Sequence, residues 1–196
     1  MAGLRLFLFL CVTTLAYGKE KILSTKEFKR AVYYPETYSH ASIVEGRNIT
    51  YNYCNATGPW YLPELGEVTI SLDCESGCSP ITDVAISTLA LTHSFKADIS
   101  IRLEKDDRYA LIKLSQEGDG CGIDWNVSVD DDGEGGYLED LCGTVMSPPS
   151  YIPLTSLSGG FQGIDGCGDW KLVIEDVFSG DDGEVTEVGI TYQTTA

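Results

Sequence analysis

The sequence predicts an all-β fold of the β-sandwich or jelly-roll class, and three observations predict it. From Gly66 onward, seven short runs alternate apolar and polar residues with a period of two, the pattern that buries one face of a strand. Clusters of Gly, Asp, Ser and Pro separate the runs. No sustained helical period lies between them, so strand follows strand, and some 130 residues make one sandwich of ordinary size.

Taken in order, the runs are Val68 to Leu72, Ile81 to Ala90, Asp98 to Leu103, Tyr109 to Leu114, Trp125 to Val129, Leu172 to Asp176 and Val185 to Tyr192. The last two form a hairpin. Trp170, Leu172 and Ile174 alternate with Lys171, Val173 and Glu175, and Gly180-Asp181-Asp182-Gly183 is a loop of residues that tolerate positive φ. At such alternating positions the indoles of Trp170 and Trp125 read as core rather than as ligand platforms, and Trp60-Tyr61 is the better candidate for exposed aromatics.

Ahead of these strands, Met1 to Gly18 reads as a secretory signal peptide. Arg5 supplies the positive start, Leu6 to Val12 an apolar run too short to span a bilayer, and Ala16 and Gly18 the small residues before the cleavage point. The expected product starts near Lys19, is secreted, and inserts in no membrane. Lys19 to Arg30 has a weak helical pattern around Phe28, and Tyr33 to Tyr61 has many tyrosines and no sustained period. Residues 19–65 are therefore read as an N-terminal extension, tied to a domain spanning 66–196 by Cys54.

Of seven cysteines, Cys11 lies in the signal, leaving Cys54, Cys74, Cys78, Cys121, Cys142 and Cys167, an even set that suits disulfides in an oxidising compartment. Six cysteines allow about fifteen connectivities. Cys74-Glu75-Ser76-Gly77-Cys78 is the first choice for a local bridge, because Ser-Gly lets the chain turn back between the sulfurs. Zinc is the rival, but neither His40 nor His93 sits at ligand spacing from a cysteine pair. Asn48, Asn55 and Asn126 head Asn-x-Ser/Thr acceptors for N-glycosylation.

The formal charge is −17, which argues against nucleic acid and anionic membranes as partners and leaves divalent cations or basic proteins. Calcium needs six to eight oxygen ligands on a bent backbone. Asp130-Asp131-Asp132-Gly133-Glu134-Gly135-Gly136 offers carboxylates with glycines that permit the bend, and reads equally as a solvated acidic loop. Asp176, Asp181 and Asp182 form a second acidic group that reads first as hairpin-loop chemistry.

From Gly66 to Tyr192 the chain also resembles the P domain, or Homo B domain, that follows the catalytic domain of subtilisin-like proprotein convertases and related subtilases. The resemblance lies in Thr92-His93-Ser94-Phe95-Lys96-Ala97-Asp98-Ile99 at the family's His-Thr-Tyr-x-Gly-Asp-Leu turn, and in Gly120 to Trp125 at its glycine-rich turn. It continues in Val129-Asp130-Asp131 at a Phe-Asp-Asp element, in Pro153-Leu154 to Gly163, and in Gly168 to Asp176 with Asp181 to Val185. Ala97 stands where the family has glycine, Val188 where it has a second tryptophan, and Cys121, Cys142 and Cys167 are additional.

The resemblance implies a disulfide-reinforced jelly-roll sandwich. It implies a calcium site of Asp98 with Asp130 and Asp131. It also implies a protein partner, a subtilisin-like protease supplied in trans, because P domains pack against and stabilise such a domain. A catalytic Asp, His and Ser in glycine-framed motifs are not found, and His93 occupies the family's structural turn. The expectation is a secreted non-catalytic interaction module; the alternative is a serine-endopeptidase component whose catalytic part is not on this chain.

Overall fold

The computed structural model describes residues 49–116 and 120–195. The signal segment, the helical pattern around Phe28 and Asn48 lie outside the described residues. Among the described residues there are nine strands: β1 (Ile49–Leu62), β2 (Glu67–Cys74), β3 (Ile81–His93), β4 (Ile99–Lys105), β5 (Arg108–Lys113), β6 (Ile123–Val129), β7 (Gly143–Met146), β8 (Gly168–Asp176) and β9 (Gly183–Thr195). One short helix, α1 (Leu157–Phe161), and two single 3-10 turns complete the described elements.

The strands form two sheets, one in the order β1-β9-β3-β6-β7 and one in the order β2-β8-β4-β5. All pairings are antiparallel except β6 with β7. Inward rows from both sheets make one core: Ile70 and Leu72 from β2, Leu89 and Leu91 from β3, Ile101 and Leu103 from β4, Trp125 and Val127 from β6, and Val188 and Ile190 from β9. Trp170, Leu172 and Ile174 are fully buried, as their alternation requires. Phe161 of α1 packs edge-on against Trp170 at 4.9 Å, and the Trp170 Nε1–H donates to Gly166 O at 2.9 Å.

All seven strands read from the sequence exist, but the sandwich starts earlier than Gly66. β1, placed by sequence in the extension, pairs with β9 along nearly its whole length, from Ile49 opposite Thr195 to Leu62 opposite Gly183. Its pattern escaped detection because its inward positions include Asn52 and Cys54 while Tyr51, Tyr53 and Tyr61 point outward. Asn52 tolerates burial because its Nδ2 donates to Thr194 Oγ1 at 3.2 Å.

The expected Cys74–Cys78 bridge is absent. Cys54 pairs with Cys74, Cys78 with Cys167, and Cys121 with Cys142, at Cα separations of 5.5, 4.6 and 5.8 Å. Cys74 ends β2 facing inward, where β1 of the other sheet presents Cys54, so the bridge closes the side of the sandwich. Cys78 reaches instead to the entrance of β8.

Candidate functional site at the His93 end

β3 ends at His93, β8 at Asp176, and β9 begins at Gly183, so three strand ends converge. Gly183 lies opposite His93 in register, and a Cβ there would come within 2.5 Å of His93 Cδ2 and of Thr92 O; only glycine allows the approach. The Phe95 N–H donates to His93 Nδ1 at 3.1 Å. Nδ1 also lies 3.0 Å from Phe95 O, and Nε2 lies 3.2 Å from Asp176 Oδ2, so the ring is held between the Phe95 backbone and Asp176. Both side chains are completely sealed from solvent. The other Asp176 oxygen, Oδ1, accepts from the Phe178 N–H at 3.0 Å.

Asp98 closes the same end from the 3-10 turn Lys96–Asp98. Burial, then the nearby Asp176 and Asp181, push its carboxyl above the usual range, against the pull of His93 and Lys113. Lys113 is itself buried; that burial, with Lys96 nearby, lowers its ammonium to about 8. Its Nζ donates to Ile99 O at 2.8 Å and Leu114 O at 2.9 Å, while Lys96 Nζ donates to Glu139 O at 2.6 Å. The buried cations therefore tie loops together by hydrogen bonds to carbonyls.

An open cleft of about 310 Å³ borders this layer, lined by Tyr61, Ser94, Asp182 and Glu184 and reaching His93 and Gly183, although the His93 side chain itself is buried. Tyr61 Oη donates to Asp182 Oδ2 at 3.2 Å and its ring is 59% exposed. Ser94 spends its hydrogen bonds on the Asp182 backbone: Ser94 N–H donates to Asp182 O at 3.2 Å and Asp182 N–H donates to Ser94 Oγ at 3.3 Å. The Ser94 hydroxyl thus holds the hairpin loop. Asp182 serves that loop, as read from the sequence, whereas Asp176 belongs to the buried pair.

The three expected calcium ligands do not meet. Asp98 follows the end of β3 that pairs with Ile123, whereas Asp130 and Asp131 follow Val129 at the other end of β6. Seven strand residues separate the two ends by roughly 20 Å. Asp131 is already used as a cap on α1, accepting from Ser156 Oγ at 2.7 Å, the Leu157 N–H at 2.7 Å and the Ser158 N–H at 3.0 Å. Asp130 accepts from the Asp132 N–H at 3.1 Å, and burial, opposed by that bond, raises its carboxyl. Cys78, Asp165 and Cys167 also lie close together, but both sulfurs are spent in the disulfide.

Sequence reasoning placed His93 in a structural turn but missed Asp176 as its partner, because 83 residues separate them. Buried Lys96 and Lys113 were missed as well, since a lysine in a polar turn or in a strand reads as exposed. Asn55 and Asn126 are both exposed, on β1 and β6 respectively.

No family model matches the chain, and no curated protein matches it. Among solved structures, it is similar to the chain in the crystal structure of FlhE, with 11% identity over 76% of this chain and 98% of that chain, at a TM-score of 0.40. It is also similar to a chain in the crystal structure of the Aeromonas sobria serine protease in complex with its chaperone ORF2, with 13% identity and a TM-score of 0.46. That match covers 76% of this chain and 27% of the other, so the chain spans about a quarter of the length of that relative.

Proposed function

We propose that this chain is a secreted, non-catalytic module of P/Homo B type that binds and stabilises a protein partner, with a subtilisin-like protease in trans as the partner class. The sealed His93–Asp176 pair carries the reading. A general base must reach the proton it abstracts, and this imidazole is fully buried, with one nitrogen held by the Phe95 backbone and the other by Asp176. Its work is to hold three strand ends in register. What the same end offers to solvent is recognition chemistry: an exposed tyrosine beside Asp182 and Glu184 in an open cleft. In a chain of net charge −17, that rim suits a basic face of a protein partner.

Affinity capture from the source's secreted fraction tests the reading, with wild type and a Tyr61→Ala/Asp182→Asn variant as baits, with and without calcium. The expected result is a protein held by wild type and released by the variant. Equal capture by both baits would remove the cleft from the account.

A further inference from the structure

On β1 the side chains of Tyr51, Tyr53, Asn55 and Thr57 all point outward from the five-stranded sheet. Asn55-Ala56-Thr57 is an acceptor triplet, and no other described residue engages the Asn55 amide. Asn55 lies directly opposite Gly189 of β9, and Tyr53 opposite Thr191. The Tyr53 ring nevertheless leans along β9 toward Gly189: a Cβ at that glycine would lie 3.2 Å from Tyr53 Oη and 3.4 Å from Cε2. The bare backbone of Gly189 thus makes room for one side of the ring, while the side chain as a whole stays 53% exposed. Neighbours two apart on a strand face are roughly 7 Å apart. An aromatic surface therefore lies beside the Asn55 amide, within reach of a first sugar.

We propose that Asn55 carries an N-linked glycan whose first N-acetylglucosamine stacks its apolar face on Tyr53, making the sugar part of the folded structure. In the transfer, the Asn55 Nδ2–C1 bond forms as the C1–O bond of a lipid-pyrophosphate-linked oligosaccharide breaks. The lipid pyrophosphate leaves and the amide loses one proton. The stack draws on the electron-rich ring face and on apolar area that Tyr53 otherwise exposes to water. Asn126 supplies the contrast. It is exposed on β6 with Ser128 completing its triplet, but Asp124 stands two residues before it, where Asn55 has Tyr53.

The test compares proteins secreted from a eukaryotic cell line: wild type, Thr57→Val, Tyr53→Ala, the double variant and Asn126→Gln. Peptide mapping should find the glycan at Asn55. Thr57→Val, which removes the acceptor and keeps a β-branched side chain, should lower Tm by about 3 °C. In the Tyr53→Ala background the same change should leave Tm where it was, and Asn126→Gln should leave the wild-type Tm unmoved. Trimming wild type to a single N-acetylglucosamine with an endoglycosidase should retain the higher Tm. An unmodified Asn55, or an equal Tm loss with and without Tyr53, would overturn the proposal.

Discussion

His93 and Asp176 show how a pair suited to chemistry is given to structure instead. Their bond is fully buried, so removing either member orphans a polar group that water cannot reach. His93→Ala should cost about 3 kcal/mol in urea unfolding, with a comparable loss for Asp176→Ala and a coupling above about 1 kcal/mol in the double-mutant cycle. Lys113 gives a pH signature of its own. Its ammonium is lowered from 10.5 to about 8 by burial, with Lys96 adding to the effect. Below pH 8 both folded and unfolded chains hold the proton and the full destabilisation is present. Between about 8 and 10.5 the unfolded chain holds more protons, so the Lys113 contribution to stability rises with pH. Lys113→Met should abolish that rise when unfolding free energy is followed across this range. Asp98 acts in the opposite sense: its raised carboxyl makes stability fall as pH climbs through its folded value, and Asp98→Asn should remove that fall and so steepen the rise of stability with pH in the acid range.

At the scale of elements, the strands with apolar inward rows were legible because period two suffices to read them. Trp170, Leu172 and Ile174 in β8 are the clearest case. β1 was not legible, since its inward row includes Asn52 and Cys54, whose partners Thr194 and Cys74 lie elsewhere in the chain. β7 is four residues long and α1 five, too short for any period to declare itself. The acidic loop after β6 was legible as polar, with its purpose left open between a cation site and a solvated loop. Asp131 supplies an acceptor for three donors at the start of α1, a role visible only once residues 131 and 156–158 are brought together. Asp131→Ala should therefore lower stability by about 1–2 kcal/mol. With the expected ligands divided between the ends of β6, millimolar calcium and EDTA should give the same Tm; a large calcium-dependent rise lost in Asp131→Ala would restore the metal reading.

For the molecule as a whole, Cys54–Cys74 joins the two sheets, Cys78–Cys167 fixes the entrance to β8, and Cys121–Cys142 joins the segments that lead into β6 and β7 of one sheet. That the cysteines pair was legible in their even number, but the pairing was not, because it depends on β1 being part of the sandwich. The Cys78–Cys167 bridge spans 89 residues and the other two span 20 and 21. Chain-entropy arguments give about 4.5 kcal/mol for the long loop and about 3 kcal/mol for each short one. Replacing both members of each bridge with serine should rank the losses in that order in denaturant titrations. Cys121–Cys142 lies beside the His93 end, where the Lys96 N–H donates to Cys121 O at 2.8 Å, whereas the other two bridges lie toward the opposite end of β8.

The central claim, that this sandwich has no catalytic serine of its own, is tested most directly with an active-site serine probe. The purified chain is incubated with a fluorophosphonate and the product mapped by peptide mass spectrometry. The account predicts no labelled serine, with the same background for wild type and His93→Ala. Stoichiometric labelling of a single serine that disappears in His93→Ala would contradict it.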